Sequence, residues 1–314
     1  MKDFERAISA EFKVRLLGDA KTFLGMEINK NSQKGTVEIT QKKYIKNIAN
    51  KFGLSNAKAV HSPLPPKIDK HLEQATSEQD CDNELYRSII GSLMYAQNLC
   101  RPDISFAVSK LSRYLNAPKT THLKLAKRVV AYLNTTCNYG IKYSKNRINK
   151  NKFSGYADAD FASDTSDRKS VSGWIFMYGN GAVSWRSLKQ TCVALSTPEA
   201  EYLSVSDAGK EARSLRKLQS EFLNIDINDK NNSIKIWEDN RGAELWCRNP
   251  AQPSKSKQID ICYHHIRDEV KKGSIVIGKI PTQHQLADAL TKALHRERHH
   301  ELMLKFSGYA SPKI

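Results

Sequence analysis

Apolar positions recur at helix or strand spacing along most of this chain, and the pattern changes character near Phe153. Before that point, Phe4, Ile8, Phe12 and Leu16 predict an amphipathic helix over 3–17. Gly18 and Gly25 bracket a short apolar piece, Phe23–Ile28, that reads as a strand, with a second at Thr36–Ile39 across a polar turn. Thr40 is placed to cap a helix that ends near Phe52, where Gly53 stops it. The next thirty residues hold Pro63, Pro65 and Pro66 among polar side chains and read as a surface linker or extended crossing. Three helices follow. Glu84–Leu99 shows Leu85, Ile89, Leu93 and Ala96 on one face, Asp103–Leu115 begins after Arg101-Pro102, and Thr121–Leu133 leaves Lys124, Lys127 and Arg128 on its outer side.

Beyond Phe153 strands come first. Phe153–Asp158, Ser172–Tyr178 and Ala182–Arg186 are strand candidates, the last two joined by Gly179-Asn180-Gly181, a good hairpin turn. A long helix is predicted over Thr197–Phe222, with a break allowed. Then come a strand at Ile234–Glu238, helical segments at Arg241–Cys247 and Ile259–Lys272, a strand at Ser274–Ile280 and a helix at Leu286–Leu294. This order implies an α/β fold, a mixed sheet with helices packed against it, preceded by a mainly helical portion.

Charge sharpens the division. Residues 1–152 carry 27 Lys/Arg against 13 Asp/Glu, whereas residues 153–314 carry 23 against 20, within a formal total of +17. A basic half beside a nearly balanced, carboxylate-bearing half suits a polyanion-gripping module joined to a metal-dependent one. The six cysteines form no CxxC pair, which argues against a zinc site and leaves reduced thiols as the simplest account. The amphipathic start is unlike a signal peptide, and no stretch approaches the length of an apolar membrane span. The expected location is cytoplasmic, including virus-like particles, or nuclear, with no membrane partner. Oligomeric state is left open.

Four acids stand at the ends or starts of these elements: Asp158, Glu201, Asp239 and Asp288, spaced 43, 38 and 49 residues apart. Only folding brings such positions together. Neighbouring strand ends and helix starts at one sheet edge permit it, although Glu199 competes with Glu201 for the inward place. Clustered carboxylates repel one another and need a cation. Mg²⁺ takes oxygen ligands and retains waters. Two such ions about 4 Å apart activate a water on one side of a phosphodiester and stabilise the leaving oxygen on the other.

The local contexts of these acids resemble the ribonuclease H domain of copia-type LTR retrotransposon Pol polyproteins. The matching stretches are Tyr156–Ala162, Asp167–Gly173, Val183-Ser184-Trp185, Ala194–Tyr202, Trp237–Asn240, Ile259-Asp260-Ile261 and Gln285–Lys292, in the family's order. The resemblance implies a ribonuclease H-like mixed sheet over 153–295. It also implies Asp158, Glu201, Asp239 and Asp288 as catalytic metal ligands for two Mg²⁺ ions, with Mn²⁺ as a substitute. The implied reaction is endonucleolytic cleavage of the RNA strand of RNA–DNA hybrids. His284 lies one position later than the family's auxiliary histidine, so a proton-transfer role for it is an open expectation. Phe161 stands where tryptophan is usual and Gln258 where histidine is usual, next to the basic loop residues Lys255 and Lys257.

Residues 1–140 resemble the end of the same polyprotein's reverse transcriptase through Phe23–Ile28, Tyr86–Tyr95 and Arg101–Ile104. They imply palm-end, thumb and connection elements, with the upstream reverse transcriptase portion as a partner. No Tyr-x-Asp-Asp turn occurs, so polymerase activity is not expected. Residues 296–314 read as a tail. The basic positions Lys124, Lys127, Arg128, Lys255 and Lys257 are expected to meet the hybrid. The competing reading is a nucleic-acid-binding remnant without catalysis.

Overall fold

The computed structural model describes residues 2–15, 18–145, 153–224, 226, 229–248 and 265–310. Helix α1 (Lys2–Glu11) is shorter than its apolar spacing suggests. The apolar piece after it is two strands, β1 (Thr22–Phe23) and β2 (Met26–Asn31), because Gly25 takes a φ of +69° and turns the chain between them. β3 (Thr36–Thr40) pairs with β2, and helix α2 (Lys42–Lys51) follows. Gln41, rather than Thr40, holds the cap position; the Thr40 hydroxyl turns to Glu27 (3.5 Å).

The proline-rich stretch read as a linker contains α3 (Ile68–Gln74), whose Ile68 and Leu72, one turn apart, are buried. The helices α4 (Asn83–Leu99), α5 (Ser105–Leu111) and α6 (Thr120–Thr135) complete this half. Their core is Tyr86, Ile89, Leu93, Phe106, Leu111 and Val130, with α2 and α3 against them. Strand β4 (Ile141–Ser144), which the residue pattern left unassigned, adds to β3 and closes a four-stranded antiparallel sheet.

The second sheet starts with β5 (Ser154–Asp160), β6 (Val171–Tyr178) and β7 (Gly181–Lys189). Gly179 and Asn180 both have positive φ, 54° and 75°, as a two-residue hairpin matching strand twist requires. Helix α7 (Thr197–Leu223) is continuous, followed by β8 (Ile234–Glu238), α8 (Arg241–Arg248), α9 (residues 265–271) and β9 (Ile275–Lys279). The order is β7-β6-β5-β8-β9, with the first three antiparallel and β5, β8 and β9 parallel.

One face of this sheet, carrying Ala157, Ala159, Ile234 and Ile236, is covered by α7. The other carries Tyr156 and Ile175 and packs on Cys100, Ile141, Leu286 and Leu290. The predicted helix 286–294 is reduced to α10 (Asp288–Thr291), because Leu286 and Ala287 are buried from a loop held by Gln285. Residues 296–306, grouped above with a tail, form α11 (Arg296–Phe306). Its Leu302, Met303 and Phe306 enter the same core. Cross-links bind the halves: Arg113 to Asp164 (2.8 Å), and the Trp185 indole N–H to the Gln97 carbonyl (2.9 Å).

Candidate metal centre

The site arises where two central strands part. Parallel pairing of β5 with β8 runs from Ser154↔Lys235 to Tyr156↔Trp237 and stops there. Beyond that point the Ala157 carbonyl accepts from the Gln285 side-chain amide (2.7 Å). Asp158 lies on the departing end of β5, and Asp239 immediately follows β8. Strand divergence thus opens a notch between two acids that sequence alone places 81 residues apart.

Helices set the remaining walls. Ser196 caps α7, accepting from the Glu199 N–H, while the Glu199 carboxylate returns to the Leu195 N–H (2.6 Å). That engagement uses Glu199 at the helix start and leaves Glu201 facing the sheet. Ser204, one turn on, donates to the Asp158 carbonyl (2.8 Å) and fixes α7 over β5. On the opposite face Gly173, paired with Asp158 across β6, lets α10 approach closely. A Cβ there meets the Leu290 and Thr291 side chains at 2.8 and 2.7 Å. This approach brings the Thr291 hydroxyl onto the Asp158 carboxylate.

Asp158, Glu201 and Asp239 each offer a carboxylate oxygen, all within 4.8 Å of one another. Asp158 is 3% exposed and Glu201 5%. Burial, followed by repulsion from Glu238, Asp158 and Asp239, pushes the Glu201 carboxyl up to about 12. Burial also raises Asp158 to about 6, against a lowering by Lys292. Glu201 Oε2 is buried with no hydrogen-bond partner. A compact all-oxygen donor set with an orphaned buried carboxylate oxygen fits a hard divalent cation.

Asp288 is not within that triad. It is buried beside it, with Lys292 Nζ 2.8 Å from Oδ1 and Arg298 Nη2 3.1 Å from Oδ2. His284 ends a single turn at Thr282–His284, half-buried, with Nδ1 unpartnered. Lys124 is exposed, Lys127 half-buried, and Arg128 half-buried with a bond to the Ser62 hydroxyl (3.2 Å), which corrects its reading as part of a free outer face. Lys255 and Lys257 lie outside the described residues.

Two participants escaped sequence reading. Glu238 is fully buried on the Ile234 and Ile236 side of β8 and pushed well up by burial; its Oε1 accepts from the Asn240 N–H (2.9 Å). Gln285 is the other, and its replacement by Leu leaves the Ala157 carbonyl without its partner. We expect Gln285→Leu to cost about 1–3 kcal/mol in a urea melt. An unchanged midpoint would show that the loop does not depend on this bond.

A sheet of this order, crossed by α7 and carrying acids where its central parallel pair divides, is ribonuclease H-like. The ribonuclease H1 of Halobacterium salinarum aligns over 45% of this chain and 94% of its own, at 17% identity and a TM-score of 0.32. The sheet order, rather than that likeness, defines the fold. A family model described as reverse transcriptase (RNA-dependent DNA polymerase) matches residues 1–66. The Pol polyprotein of transposon TNT 1-94 from Nicotiana tabacum is 35% identical over 296 residues, 93% of this chain and 22% of its own length. That of transposon RE1 from Arabidopsis thaliana is 37% identical over 289 residues, 92% of this chain and 19% of its own. The chain belongs to the copia/Ty1-type retrotransposon Pol polyprotein family, in which it covers the reverse transcriptase end and the ribonuclease H-like domain. It spans about a fifth of the length of those curated relatives.

Proposed function

We propose that this chain hydrolyses the RNA strand of RNA–DNA hybrids in a divalent-metal-dependent reaction, leaving a 3′-hydroxyl and a 5′-phosphate. The observation that carries this reading is the convergence of Asp158, Glu201 and Asp239 within 4.8 Å at the parting of β5 and β8. These three residues would hold Mg²⁺, with Mn²⁺ as a substitute. Bound there, a divalent cation supplies charge to the phosphate and acidifies a water at neutral pH.

The chain's own groups supply position. The Thr291 hydroxyl and Ser204 hold Asp158 through its carboxylate and carbonyl, the Ala159 N–H donates to Glu201, and Gln285 holds β5 open. Asp288 keeps Lys292 and Arg298 at the rim. His284, half-buried on the turn that precedes α10, is the candidate for auxiliary proton transfer. Lys124 and Lys127, with Lys255 and Lys257, would grip the duplex through its phosphates, which makes binding steeply salt-sensitive and nearly indifferent to base sequence. Among the described residues no helix is long and apolar enough to cross a membrane.

The test is cleavage of an end-labelled hybrid by the whole chain. Products ending in a 3′-hydroxyl are expected with Mg²⁺ and none with chelator. Hybrid binding without metal-dependent product at any Mg²⁺ or Mn²⁺ concentration overturns the hydrolase reading in favour of a binding remnant.

A stability signature accompanies the site. Asp158 and Glu201 hold their protons more tightly folded than unfolded. The folded site therefore binds more protons, and the contribution of these two groups to apo stability is greatest at low pH. It falls as pH rises through the Asp158 window, from its usual 3.8 to about 6. A cation binds the ionised carboxylates and opposes that loss. Millimolar Mg²⁺ should therefore raise the melting temperature more at about pH 8 than at about pH 5. Equal shifts at both values would remove the carboxylates from the binding event.

A further inference from the structure

Charge is distributed unevenly across the carboxylate cluster. On the α7 side Glu201 faces Glu238, Asp158 and Asp239, and its buried Oε2 has no hydrogen-bond partner. On the α10 side both Asp288 oxygens already meet cations: Lys292 lies 2.8 Å from Oδ1, as an ion pair without hydrogen-bond geometry, and Arg298 is bonded to Oδ2 at 3.1 Å. Lys292 Nζ also lies 3.6 Å from Asp158 Oδ2. One side of the notch is short of positive charge, and the other is supplied with it by the chain.

We propose that the Lys292 ammonium is a built-in counter-ion between Asp158 and Asp288, confining tight divalent-cation binding to the Asp158–Glu201–Asp239 side. The assignment rests on the metal-cradle part of the function proposed above.

Lys292 is tethered for this place. It follows α10 directly, four residues after Asp288, so the helical turn carries its side chain back to that carboxylate. Arg298 holds the second Asp288 oxygen from α11 and is itself bonded to the Thr282 and Gln283 carbonyls and to Glu301. Asp288 therefore cannot swing toward the triad without breaking two ion pairs. An ion joining Asp158 Oδ2 to Asp288 Oδ1 would meet the ammonium at those same two oxygens. Coulomb repulsion at such separations, beside buried carboxylates, disfavours holding both cations at those oxygens. The site as folded thus combines one divalent ion with one fixed ammonium, and Lys292 is a positioning residue that sets how many ions the cluster accepts.

The experiment counts ions rather than turnover. Mn²⁺ bound by the whole chain is titrated by electron paramagnetic resonance, alone and with a hybrid whose 2′-O-methyl RNA strand resists cutting. The natural chain is expected to bind one tight Mn²⁺ in both conditions. Lys292→Met is expected to bind two, or to bind the first about tenfold more tightly, while Lys292→Arg stays like the natural chain. Matched circular dichroism and melting curves establish that each variant is folded.

Two tight ions in the natural chain overturn the proposal, as does a Lys292→Met titration superimposable on the natural one. Absence of tight Mn²⁺ binding in every variant overturns it as well, by removing the cradle that the lysine is said to confine. A natural chain that binds one Mn²⁺ yet leaves a cleavable hybrid intact sinks the hydrolase reading alone and leaves the lysine assignment standing.

Discussion

Replacing Asp158 by Asn is expected to abolish hybrid cleavage, by on the order of 10³-fold or more, while making the apo protein more stable. The two effects share one cause. The Asp158 carboxylate lies in the triad, buried, at the parting of the central strands. Its charge is what a cation needs and what the fold tolerates poorly. The rise from 3.8 to about 6 corresponds to a cost on the order of 3 kcal/mol near neutral pH, present only once the acid is ionised. Asn keeps the shape and removes that cost, at the expense of weaker contacts to Lys292 and Thr291. Asp239→Asn should lose cleavage without the stability gain, since Asp239 is only half-buried. Hybrid affinity should persist in both, because Lys124 and Lys127, the described residues proposed above to grip the duplex, are not part of the triad. Cleavage within tenfold of the natural chain in Asp158→Asn would remove Asp158 from the metal set. A lowered melting temperature in that variant would show instead that the ion pair with Lys292 outweighs burial.

How far the chain could be read beforehand depended on whether side chains alternate cleanly. Ile234-Lys235-Ile236-Trp237-Glu238 shows buried and half-buried positions in strict turn, and its predicted ends are those observed. The same parity placed Glu238 beside Ile234 and Ile236, a signal that was available and missed because an acid at a strand end reads as solvated. In α3 the prolines before it concealed a one-turn pair, Ile68 and Leu72. In α11, Leu302, Met303 and Phe306 carried helical spacing, concealed by the charged residues Arg296–Glu301 between them and the preceding core. The helix expected over 286–294 failed for another reason: Leu286 is buried by a loop, and burial without hydrogen bonding has no periodicity to reveal.

The acids themselves were not legible from spacing. Asp158, Glu201 and Asp239 meet through strand register and a capped helix, and it was the family resemblance that singled them out. Structure adds what motif order cannot, namely that Glu199 is consumed by capping and that Asp288 is held by two cations. The i, i+4 spacing of Asp288 and Lys292 was visible in the sequence, but its second partner, Asp158, lies 134 residues away from Lys292.

Loss of Asp103 should be the most destabilising single change, about 3–5 kcal/mol, although it is far from any acid of the triad in sequence. Arg101 and Asp103 are almost wholly buried and pair through two bonds, Nε to Oδ1 at 2.9 Å and Nη2 to Oδ2 at 2.7 Å. Burial alone would raise the Asp103 carboxyl, yet the Arg101 charge beside it holds it below its usual range. Two further Arg101 donors go to Thr136 (3.2 and 2.6 Å), and the Tyr132 hydroxyl donates to Asp103 (2.7 Å). Asp103→Ala strands a buried guanidinium, whereas Arg101→Met with Asp103→Leu removes both charges and should recover most of the loss. Arg101→Lys is not conservative here, because an ammonium cannot make the paired bonds of the planar fork.

The consequence reaches the site through α11. His299 lies 3.0 Å from the Asp103 carbonyl, and its neighbour Arg298 holds Asp288. The Asp103 variant should therefore melt the helical half and the ribonuclease H-like sheet together, in one lowered transition, and the benefit of Mg²⁺ should shrink with it. If the sheet instead melts separately, at its unaltered midpoint, then the Arg101–Asp103 pair stabilises only α4 to α6, and α11 does not transmit its loss to Asp288.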